Sequence, residues 1–165
     1  MQACYRYRKT HIEQSAHFAL EPWVRESYDA TTIEAYLAAM GAILKSISHW
    51  SVEPIRDDFF TGFMLKIKDK TLLLDCKIAR HPVPLLEKEQ TFALLKSPLC
   101  AEKEPYRVVL GKPAFDEPTK VAEELTHDIA LIEHALFIEN ILAIAQGKRD
   151  AAEFLDWMSV KGFVG

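Results

Sequence analysis

The stretch FMLKIKDKTLLLDCKI, residues 63–78, decides the fold. Phe63, Leu65 and Ile67 recur at every second position, and so do Leu72, Leu74, Cys76 and Ile78. Period two is the signature of a strand that buries one face. Taking Asp69-Lys70 as a two-residue turn sets Ile67 opposite Leu72, Leu65 opposite Leu74 and Phe63 opposite Cys76. Both apolar rows then share one side of an antiparallel hairpin, as a single buried face requires. The other side carries Met64, Lys66, Leu73, Asp75 and Lys77. It is only half polar, so it invites cover.

Upstream of the hairpin, DATTIEAYLAAMGAILKSISHW (29–50) opens with Asp29, Thr31 and Thr32 as cap candidates and Glu34 close behind. Ile33, Leu37, Met40 and Leu44 then recur at helical spacing, which predicts a helix over 31–48. A short helix from His11 to Leu20, ended by Pro22, is expected before it. Downstream, Pro82, Pro84 and Pro98 punctuate a segment with a short helix at 87–96. YRVVL (106–110) reads as a strand closed by Gly111 and Pro113. Asp116 caps a long helix with Pro118 in its first turn. That helix is expected to run to Gln146, with Gly147 as its stop and a closing helix at 150–159. The expected class is α+β: a small antiparallel sheet flanked by an N-terminal helix, a short middle helix and a long C-terminal helix. Residues 1–30 form an extension, 31–147 the domain, and 148–165 a terminal helix and tail.

The bulk numbers bound the function. The chain has 165 residues, 49% hydrophobic and 27% charged, which suits one folded domain. A net charge of −4 with scattered Lys and Arg argues against a nucleic-acid partner held by phosphate contacts. Cys4, Cys76 and Cys100 are odd in number and far apart, so a reducing, cytoplasmic setting is expected. No apolar leader follows the first charged residues, and ALFIENILAIA (135–145) is too short to span a bilayer, so no membrane insertion is expected.

Two constellations carry possible chemistry. His127-Asp128 lies on the predicted long helix, where Val121, Leu125, Ile129, Ile132 and Leu136 form the apolar stripe and His127 and His134 face away from it. Seven residues separate the histidines, about 10.5 Å along a helix, so one metal does not bridge them. Glu124-x-x-His127 is half of a di-iron pattern with no second copy. A solvated helix face is the expected reading. Tyr5, Arg6, Tyr7 and Arg8 interleave aromatics with charge, as base-stacking surfaces do, but also as a terminal strand does. The second constellation is Asp75-x-Lys77 at the end of a strand, with Asp57 or Asp58 before the previous strand. It resembles the metal-binding core of PD-(D/E)xK nucleases, which implies Mg²⁺ on Asp58 and Asp75 and water positioned by Lys77. The bland alternative is a cross-strand charge pair between Asp75 and Lys66.

The order of elements supports another likeness. GFMLKIKDKTLLLDCKIARHPVP (62–84), TFALLKSPL (91–99) and the segment from Tyr106 to Gly147 together resemble class I type III secretion chaperones of the Tir-chaperone type. Ser97-Pro98 departs from the Asn usual in that pattern. The resemblance implies a non-enzymatic homodimer, without cofactor or catalytic residue, that holds an extended segment of a secreted effector. Partner contacts would then fall on Met64, Leu73, Leu37, Met40 and Leu44. Leu94, Leu95, Val108, Leu110, Phe137 and Ile141 would form a dimer interface or core. An inhibitor or adaptor of a single target protein has the same sequence signature.

Overall fold

Lys68 settles the hairpin. In a computed structural model describing residues 20–85, 93–102, 104–122, 129–159 and 161–165, Lys68 takes φ 57°. A positive φ at the first central residue belongs to the two-residue turns whose twist matches the strands. The turn is therefore Lys68-Asp69, one residue earlier than Asp69-Lys70. Strands β1 (Trp50–Arg56), β2 (Thr61–Ile67) and β3 (Lys70–Ile78) form an antiparallel meander. Phe63 pairs with Leu74 and Leu65 with Leu72, a shift of two from the expected register. Two residues is the pleat period, so every side chain keeps its expected face.

The chain is α+β, but its sheet is larger than expected and mixed. β4 (Tyr106–Lys112), β5 (Ala130–Glu133) and β6 (Gly162–Val164) add in order, each parallel to the strand before it. Val108, Val109 and Leu110 are all buried, as a parallel strand between two layers requires. The expected helix from Asp116 to Gln146 is replaced by three described elements. Asp116 accepts from the Thr119 N–H and caps only α4 (Glu117–Lys120). After residues 123–128, which lie outside the described set, comes β5, and then α5 (His134–Ala145). Ile129, Ala130, Leu131 and Ile132 are buried on successive positions. A surface helix buries one stripe; a central strand buries both faces.

The remaining helices are α1 (20–29), α2 (Ile33–Lys45), α3 (Leu99–Glu102) and α6 (Ala151–Met158). Pro22 lies within α1 instead of ending a helix. The expected helix at 87–96 is described only at its end, as a 3-10 turn Leu94–Lys96. The sheet separates two cores. On one face, α2, α5 and α6 cover Phe63, Leu65, Leu72, Leu74, Val108 and Ile132. On the other, Val83, Leu85, Leu94 and Phe115 cover Phe60, Leu73, Val109 and Leu131. The half-polar face of the hairpin is thus covered, and Asp75 lies beneath that cover. No described helix is long and apolar enough to cross a membrane.

Candidate functional site

The turn between β1 and β2 builds one wall of the site. Asp57 Oδ1 accepts from the N–H groups of Phe59 at 2.8 Å and Phe60 at 3.0 Å, an Asx turn that commits this carboxylate to the backbone. Asp58 is left exposed, with no hydrogen bond or ion pair among the described residues. Asp57, Asp58, Thr61, Lys77 and Ala93 line a cleft of about 190 Å³. A second cleft of about 310 Å³ shares Thr61 and Lys77 and reaches Arg56 and Ile33. Arg56 donates to Glu34 Oε1 at 2.8 Å, and this contact holds the Glu34 carboxyl below its usual range.

Asp75 is the unusual group. It is 1% exposed and sits across from Gly62 on one side and Val109 on the other. Lys66 pairs with Thr71 instead, so the expected Lys66–Asp75 charge pair does not form. The nearest cation is Lys77, its Nζ 3.3 Å from Asp75 Oδ2. Among the described residues no donor meets either carboxylate oxygen in good hydrogen-bond geometry. Burial pushes the Asp75 carboxyl above its ordinary value, while the Lys77 charge and then the Thr61 N–H pull it back. A carboxylate this buried costs stability unless its lone pairs are met, so its retention points to a job.

The donors here fit a magnesium-type cation better than zinc. Among the described residues no cluster of three or more His, Cys, Asp or Glu could hold a metal. Zinc needs three or four protein ligands, whereas Mg²⁺ is commonly held by one or two carboxylates with water and phosphate oxygens completing its shell. Asp58 lines the smaller cleft with Lys77, and Asp75, buried and outside the lining of both clefts, lies 3.3 Å from the same lysine, so Lys77 is what the two carboxylates have in common.

The other expected site residues fall elsewhere. Met40, Leu44 and Leu73 are fully buried in the two cores. Leu37 and Met64 are half-buried against those cores. Leu94, Val108, Leu110, Phe137 and Ile141 are core residues, and Leu95 packs half-buried beside the second core. Residues 5–8, Glu124, His127 and Asp128 lie outside the described residues. His134, expected on a wet face, is buried at the start of α5. Its Nδ1 lies 2.9 Å from Tyr36 Oη and its Nε2 3.4 Å from Ser27 Oγ, and the Tyr28 ring packs edge-on against it. Burial, helped by the Lys112 charge, lowers its pKa to about 4, so it is neutral and structural. The contributions of Thr61 and of the Asp57 turn were not read from sequence; the Asp-Asp-Phe-Phe string before a strand was the available signal. Comparison of the chain with family models, curated proteins and solved structures gives no match.

Proposed function

We propose that the chain is a metal-dependent phosphodiester hydrolase of PD-(D/E)xK nuclease type, with Asp58 and Asp75 as the cation's carboxylates. The observation that carries this reading is Asp75, 1% exposed, with no well-formed hydrogen bond to either carboxylate oxygen among the described residues and with the Lys77 ammonium 3.3 Å away. When bound, a divalent cation there supplies Lewis-acid polarisation of a phosphate oxygen and lowers the pKa of water. Lys77 has three donors and gives Asp75 one direction, which leaves others to orient a water or a phosphate oxygen in the cleft. The core behind β3 fixes Asp75, so the lysine and carboxylate keep their mutual placement. The proposal sets aside the expectation of no catalytic residue, no cofactor and no nucleic-acid partner. Net charge is a property of the whole surface, while the local field here comes from Lys77 and a cation. A reducing, cytoplasmic setting belongs to the same reading, with Cys76 and Cys100 as free thiols.

The test is cleavage of single-stranded and duplex DNA with Mg²⁺ or Mn²⁺. Asp75→Asn and Lys77→Ala should each abolish cleavage while the fold persists. Full activity in either variant would sink the proposal.

The chaperone-like reading is second, and one observation favours it. β1 is one of the two outer strands of the sheet, an edge that no described strand pairs and on which an effector segment could add a strand. Pro54 within β1 removes one of the donors such pairing needs. On this reading the double substitution at Asp75 and Lys77 leaves partner capture intact, and Met64→Glu weakens it.

A further inference from the structure

A cavity of about 240 Å³ opens at the N-terminal ends of β4 and β5, with Arg107, Ser159, Lys161 and Glu104 among its lining residues. Five Lys or Arg side chains among the described residues are half-buried or buried. Four of them are compensated. Lys77 meets Asp75 at 3.3 Å, Lys112 donates to Ala30 O at 2.7 Å and Lys120 meets Glu117 at 3.3 Å. Arg149 donates to Asn140 and stacks over Trp157. The Nε of Arg107 and that of Arg149 are both buried without an acceptor, but Arg107 alone of the five has no other hydrogen bond, ion pair or ring contact among the described residues. A guanidinium with its Nε buried and no counter-charge among the described residues is costly, and a planar fork of donors is suited to an oxyanion.

The rest of the cavity narrows the ligand. Lys161 adds a second cation from the residue before β6. Glu104 is exposed on the rim and lies beyond ion-pair distance of both cations. Ser159 spends its hydroxyl proton on Asp156 O at 2.6 Å, so binding falls to the two cations. We propose that this cavity binds a phosphate monoester dianion, held by Arg107 and Lys161. Two cations match the charge of about −1.5 to −2 that a monoester carries at neutral pH, where a diester carries less. The site is separate from the Asp75 cleft, whose lining shares none of these residues.

The experiment is thermal unfolding of the full chain, at matched ionic strength, with inorganic phosphate, phenyl phosphate or dimethyl phosphate. Inorganic phosphate and phenyl phosphate should raise Tm by roughly 3 °C at saturating concentration. Dimethyl phosphate should not. Arg107→Met should keep the fold and lose phosphate affinity by about tenfold or more. Lys161→Ala, at an exposed position, should weaken phosphate binding without lowering the basal Tm, which keeps the proposal testable if Arg107→Met does not fold. Asp75→Asn should leave the phosphate effect in place. No shift with the wild-type chain, an equal shift with dimethyl phosphate, or loss of the shift in Lys77→Ala would each overturn it.

Discussion

Two buried titratable residues pull stability in opposite directions with pH. Asp75 has its folded pKa raised by burial, so the folded state takes up a proton more readily than the unfolded chain. Stability from this group is present at low pH and is lost as pH rises through the raised value. Asp75→Asn removes that loss and should stabilise the chain by about 1 kcal/mol near neutral pH. The gain should vanish below the ordinary carboxylate value, and chemical denaturation across the acid range checks it. A destabilised variant would mean that the Lys77 pair outweighs the desolvation of Asp75. His134 behaves in reverse. Its folded pKa is lowered from 6.5 to about 4, so the unfolded chain binds the proton more tightly. Its contribution is full above 6.5 and falls away as pH drops toward 4, by about 3 kcal/mol at most. In His134→Gln this acid limb should flatten. An unchanged limb would show that the Ser27, Tyr36 and Lys112 environment does not hold the ring neutral.

At the scale of elements, the β2–β3 hairpin can be tested at its turn and at its open end. Lys68 occupies a left-handed conformation that costs an ordinary residue about 1 kcal/mol, so Lys68→Gly should raise stability by that amount. At the other end, a Cβ on Gly62 would lie 1.8 Å from Leu74 O, a backbone atom that has nowhere to go. Gly62→Ala should therefore cost roughly 3 kcal/mol and displace β2 from Asp75. Urea midpoints read both. The hairpin was legible because alternation is a local signal that survives any tertiary context, and α2 was legible because Thr32 and the Ile33–Leu44 spacing agree. β5 was not. Ile129, Ile132 and Leu136 satisfy helical spacing as well as strand burial, and only the flanking β4 and β6 decide between them. The site divided the same way. Asp75-x-Lys77 was visible as a string, but an alternating pattern cannot say whether its polar face is wet, and here a second core covers it. The lone pairs of Asp75, which make it a candidate, became visible only once that cover was in place.

At the scale of the molecule, oligomeric state separates the two functional readings. A stable homodimer commonly buries about 800 Å² per partner around an apolar centre. Among the described residues only Trp23, Tyr28 and Val121 are large, apolar and exposed. Trp23 and Tyr28 share α1, and Val121 follows α4, so they are scattered side chains of the kind any monomer carries. The apolar residues expected at an interface, Val108, Leu110, Phe137 and Ile141, are already spent on the first core. Light scattering at micromolar concentration should therefore give a mass near the 18.8 kDa of one chain. The same sample should gain thermal stability on adding Mn²⁺, and the Asp75→Asn chain should not. The metal response, lost in Asp75→Asn, is what a hydrolase centred on Asp75 requires, and a monomer speaks against the homodimer of the effector-binding reading. A stable dimer indifferent to divalent cations would instead favour the effector-binding reading, with its interface built from residues other than these buried ones.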